Sequence, residues 1–161
     1  MLLHNDVLRS LRYMLNLYDE TVVSLIRRGG GEVSIGEVRA YLARSEEPGY
    51  LDCPDWVLEC FLDGLIIQRR GPRDGAPPKP EGGPITNNTI LKKLRVAFEL
   101  CEEDLLALLA TAGSPVSRPE LSALFRNPTH PNHRPCGDQF LRYFLKSLTL
   151  RLRGAGQQEG T

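Results

Sequence analysis

Cys53-Pro-Asp55-Trp-Val-Leu58-Glu-Cys-Phe61-Leu62-Asp-Gly-Leu65 returns 83 positions later as Cys136-Gly-Asp138-Gln-Phe-Leu141-Arg-Tyr-Phe144-Leu145-Lys-Ser-Leu148. Extending outward from this stretch aligns residues 5–71 with 88–154 without a gap. Asn5/Asn88, Leu8/Leu91, Leu11/Leu94, Arg12/Arg95, Leu17/Leu100, Glu20/Glu103, Gly30/Gly113, Val33/Val116, Ser34/Ser117, Glu37/Glu120 and Gly71/Gly154 are identical pairs in that register. A fixed offset held over such a span marks an internal duplication. Within the repeated stretch the apolar residues fall at three- and four-residue intervals, the spacing of one buried helix face.

The flanking sequence extends the helical reading. Val7, Leu8, Leu11 and Leu15 mark a first helix, for which Asn5 is read as the N-cap because its amide oxygen can accept an orphan N–H. A second helix is expected over about 19–28, with Asp19 and Glu20 in the first turn, where they favour the helix dipole. Of the triplet Gly29-Gly30-Gly31 only Gly30 recurs, as one left-handed position after a helix requires. Ser34-Ile-Gly-Glu37 and Ser117-Arg-Pro-Glu120 read as capping boxes opening a third helix in each copy. A loop then leads to Asp55 or Asp138 at the head of the last helix. No stretch has the pattern of a strand. The expected fold is all-α: two tandem four-helix units, 1–71 and 88–154, packed on each other. A Pro/Gly-rich linker over 72–87 joins them, and 155–161 reads as a disordered tail.

Composition narrows the function classes. Net charge is zero over 161 residues, which lacks the basic excess of a dedicated nucleic-acid binder. The copies differ: residues 5–71 carry 8 Lys/Arg against 11 Asp/Glu, and residues 88–154 carry 10 against 6. Such opposed charge reads as solvated surface, or as a means of docking one unit on the other or on a second copy. No segment is long and apolar enough to span a membrane, and the N-terminus lacks the pattern of a signal peptide. Of Cys53, Cys60, Cys101 and Cys136, only the first and last share a repeat position. A disulfide framework would be copied with the repeat, so reduced thiols and a cytoplasmic setting are expected.

Candidate chemistry is sparse. His130, His133, Cys136 and Asp138 have ligand-like spacing, and as a set they could bind zinc. The first copy has Glu47 and Tyr50 where the histidines stand, so Cys and Asp recur for a purpose that needs no histidine. A cysteine in a small apolar pocket and an aspartate capping a helix account for them. No catalytic signature is found, no cofactor is expected, and the reading is of a protein that is not an enzyme. Arg12 and Arg95 are expected to bond Asp55 and Asp138, or nearby loop carbonyls, at the start of the last helix as a structural clamp; the alternative is a pseudo-symmetric anion site formed by the two arginines. These four, with Asn5 and Asn88, are the shared polar positions and read as structural. The second and third helices resemble a loosened helix-turn-helix, and Lys92, Lys93, Arg95, Arg142 and Lys146 could form a phosphate-tracking patch.

The duplicated pattern Asn-x-x-Leu-(Arg/Lys)-x-Leu-Arg … Val-Ser-x-x-Glu … Cys-x-Asp-x-x-Leu-x-x-Phe-Leu-x-x-Leu resembles the YehS-like family. These are small bacterial cytoplasmic proteins with two tandem copies of a domain of unknown function. The resemblance spans about residues 3–153, departs at the glycine triplet and the linker, and implies no activity. The expected function is a non-catalytic binding or adaptor protein with a protein partner. The alternative is a nucleic-acid-binding regulator using the basic second copy. An exposed apolar groove at the repeat junction speaks for the first, and a clustering of Lys92, Lys93, Arg142 and Lys146 on one exposed face for the second.

Overall fold

In a computed structural model the chain is described over residues 2–71 and 83–159, with side chains as far as Gly154, and no strand occurs among these residues. The first unit comprises α1 (His4–Leu15), α2 (Asp19–Arg28), α3 (Ile35–Leu42) and α4 (Asp55–Arg70). The second repeats it as α5 (Asn87–Ala97), α6 (Glu102–Thr111), α7 (Arg118–Leu124) and α8 (Asp138–Glu159). The helix starts are those the chemistry favours. Ser34 Oγ accepts the Glu37 N–H at 3.1 Å while Glu37 accepts the Ser34 N–H at 3.0 Å, and Ser117 and Glu120 repeat the exchange. Gly30 and Gly113 take φ of +96° and +81°, which closes α2 and α6 with the same pair of backbone bonds.

The units pack by exchange. α1 lies against α8, and α5 against α4, so the first helix of each unit covers the last helix of the other. The shared core includes Leu8 and Leu11 of α1, Leu91 and Leu94 of α5, and the repeated Phe61 and Phe144, each 1% exposed or less. Of two ion pairs across these contacts, the first follows the net charges of the copies and the second runs against them. Lys93 of α5 pairs with Asp63 of α4 at 2.5 Å, and Arg70 pairs with Glu99. Arg69 stacks on Phe98 and donates to the Ala97 carbonyl; at the other junction Arg153 does the same to Tyr13.

Four expectations change on the structure. Asn5 is not an N-cap, because α1 begins a residue earlier, at His4. The Asn5 side chain is buried instead: its amide donates to the Tyr41 and Leu51 carbonyls at 2.9 and 2.8 Å and accepts the Cys53 N–H at 3.0 Å. Asn88 repeats all three bonds on Leu124, Arg134 and Cys136. Arg12 and Arg95 do not reach the aspartates. They stand eight residues beyond His4 and Asn87, about 12 Å along the helix. There they close the turn into the next helix by donating to the Leu17 and Leu100 carbonyls. In the linker, residues 72–82 lie outside the described residues. Ile85 is buried and Thr86 caps α5 through Thr89, so this end of the stretch belongs to the packed structure. α8 runs to Glu159, into the 155–161 stretch expected to be a disordered tail.

Candidate binding surface at the repeat junction

The recurring aspartates hold the junction. Asp55 Oδ1 accepts from the Ile85 N–H at 3.2 Å and lies 2.6 Å from His4 Nε2. Asp138 accepts from the Leu2 N–H at 3.2 Å and from Asn87 Nδ2 at 2.8 Å. Leu2 and Ile85 are equivalent positions, so each unit's lead-in strand of backbone is fastened to the other unit's last helix. The His4 bond first, then the Ile85 amide, holds the Asp55 carboxyl below the usual carboxylate range. Asn87 and then the Leu2 amide do the same for Asp138. The aspartates are therefore latches across the junction, and the expectation that they cap their own helices gives way to this.

The two junctions differ in one respect that matters for binding. α4 is buried on every side from Val57 to Leu65, Glu59, Cys60 and Asp63 included. Their counterparts on α8, Arg142, Tyr143 and Lys146, are exposed. Two pairs of local substitutions between copies cause this. At the α4/α5 junction, Lys93 and Asp63 fill the space between the helices with their ion pair. At the α1/α8 junction the same two positions are Ser10 and Lys146, and a cleft of about 350 Å³ opens over Leu2, Tyr13 and Leu145. The second pair concerns glycine. A Cβ on Gly64 would stand 1.8 Å from the Leu25 carbonyl oxygen, and one on Gly29 would stand 1.8 Å from that of Cys60. α2 and α4 thus touch backbone to backbone. The second copy has Ala112 and Ser147 there; Ser147 Oγ donates to the Leu108 carbonyl at 2.8 Å, and α6 stands off from α8. A second cleft, of about 250 Å³, lies at that place beside Thr111 and Tyr143.

Both clefts are bordered by Lys146 and Leu150, which form a ridge between them. Tyr13 and Leu150 are each 60% exposed and Tyr143 is 38% exposed, a concentration of large apolar side chains at the surface of one helix junction. Nothing in the duplication pattern pointed to Tyr13, Leu150 or Gly64, because each departs from its counterpart. The signal lay in the differences between copies: Gly64 against Ser147, Asp63 against Lys146, and Lys93 against Ser10.

The other candidates are not brought together. His130 interacts with Arg126 and Asn132, and His133 Nδ1 faces the Arg126 carbonyl, while Cys136 is buried at the head of α8 and Asp138 is latched to Leu2. No group of three His, Cys, Asp or Glu among the described residues is arranged to hold a metal. Burial pushes the Cys53 and Cys136 thiols up to about 12, and all four cysteines are free. Of the basic set, Lys93 is spent on Asp63, and Arg95 on the Leu100 carbonyl and the Phe125 ring. Arg142 and Lys146 line the first cleft and Lys92 is exposed on α5. In the segment that resembles a helix-turn-helix, Arg39 pairs with Asp19, and Arg118 with Glu102 and Glu103.

Fold and surface together define a class: a tandemly duplicated four-helix unit with exchanged first helices and one open junction. The chain belongs to the family described as Protein of unknown function (DUF1456), whose sequence profile matches residues 4–71 and again 87–154. It is 44% identical over 150 residues to the uncharacterized protein YehS of Escherichia coli (strain K12), a match covering 93% of this chain and 96% of that one. The resemblance read from the repeated motif is thereby shown. No solved structure matches the chain. Among the described residues no helix is long and apolar enough to cross a membrane.

Proposed function

We propose that this protein is a non-catalytic adaptor whose partner-binding surface is the pair of clefts along α8. The observation that carries the reading is the asymmetry between copies. One duplicated scaffold presents the same positions twice; it seals them in the first unit and leaves them open in the second. An apolar groove rimmed by Tyr and Leu and flanked by cations is a surface suited to a protein segment.

The test is site-directed photo-crosslinking in cells of the protein's own host. A photoreactive residue is placed at Tyr13 or Leu150 and, as control, at exposed Tyr18. Recovery is scored with and without nuclease. A discrete protein adduct from Tyr13 and Leu150 alone, resistant to nuclease, is the expected result. Adducts consisting of nucleic acid, or equal adducts from all three positions, overturn the reading.

A further inference from the structure

We infer that the occupant of this surface is an acidic amphipathic helix of a partner protein, with apolar side chains in the two clefts and a carboxylate on the Lys146 ammonium. The inference rests on the binding reading above and adds the chemistry of the partner. Its first ground is a charge that the duplication leaves without its counterpart. At the sealed junction a lysine of the covering helix, Lys93, meets a carboxylate of the covered one, Asp63. At the open junction the covered helix carries the cation, Lys146, and the covering helix offers only Ser10. Lys146 makes no ion pair or hydrogen bond among the described residues. Arg142 stands where the sealed junction has Glu59, so the reversal covers two successive turns. A carboxylate from outside restores at this junction the pair that the other contains.

The second ground is length. The two clefts flank one ridge, the first toward α1 and the second toward α6, so the surface extends across α8 beyond either of them. Tyr143, Lys146 and Leu150 sit at intervals of three and four residues on α8, and from first to last they span about 10 Å, two turns of an opposing helix. The third ground is the rim. Tyr13 and Leu150, each 60% exposed, rise beside the first cleft, where a small molecule seated inside leaves them in water and a helix laid across covers them. The described residues include no strand and so offer no sheet edge, and the occupant is a helix set into a groove.

The test is a selection of phage-displayed random 16-residue peptides against the full-length protein, followed by fluorescence anisotropy of the enriched peptides. Three proteins are compared: unaltered, Lys146→Glu and Leu150→Asp. Both substitutions fall on exposed side chains, and circular dichroism with thermal unfolding verifies that each variant folds. Enriched peptides are expected to combine Leu, Phe or Trp at helical spacing with at least one Asp or Glu. Their affinity should fall about tenfold or more on Lys146→Glu and recover when the peptide's acid is changed to Lys. Peptides weakened by Leu150→Asp but indifferent to Lys146→Glu overturn the acidic partner while leaving the cleft as the binding surface. Peptides indifferent to both, or no enrichment at all, overturn both readings.

Discussion

Asn5 and Asn88 each tie three backbone groups from two segments, and the bonds match atom for atom at an offset of 83 residues. An amide suits this work because one side chain supplies two donors and an acceptor in a plane. Asn5→Ala strands two carbonyls and an N–H and should cost about 2–3 kcal/mol, read from urea unfolding. Both asparagines were legible in the sequence as shared positions, yet not as loop ties. A helix-start reading uses only near neighbours, whereas the partners of Asn5 lie 36 to 48 residues away. The aspartates make a pH prediction. Their pKa values are lowered by bonds made in the fold, so their contribution is whole above the unfolded value near 4 and is lost as pH falls through the folded value. Asp55→Asn and Asp138→Asn should therefore lower the melting temperature at pH 7, and the deficit should shrink below about pH 4.

At the level of elements, helix positions were largely visible, because capping boxes, the left-handed glycine and apolar spacing are all local signals. α2 is found over the residues expected, and the head of α4 falls at Asp55. Which helices approach most closely was not visible. Gly64 reads in sequence as a weak point in a helix, yet the structure shows that it admits the Leu25 carbonyl. In Gly64→Ala the new methyl group meets backbone that cannot step aside. The overpacking exceeds the ~1 kcal/mol gained in helix propensity, for a net loss of about 2 kcal/mol in chemical denaturation. The reciprocal change, Ser147→Gly, removes a bond to the Leu108 carbonyl from a site where the helices already stand apart. It should cost about 1 kcal/mol, measured in the same way.

At the level of the whole molecule, the opposed charges of the two copies read in the sequence as solvated surface or as a means of docking; Lys93–Asp63 crosses the junction in the sense of that opposition and Arg70–Glu99 against it. The open cleft was illegible because duplication was the evidence, and the cleft exists where duplication fails. The exchange of first helices also makes a prediction about independence. A lone unit leaves α4 or α8 without its cover, exposing Leu62 or Leu145 to water. Residues 1–71 and 83–161 expressed separately should be poorly structured, and mixing them should restore helical circular dichroism and a cooperative melt.

That exchange carries a consequence for how such a protein can change. If one unit once stood alone, the same contacts would have joined two identical chains, and every mutation would have struck both junctions at once. Covalent fusion ends that bondage. A lysine can become a serine on one side while its twin keeps its aspartate, so that one seam remains a weld and the other is free to become a mouth.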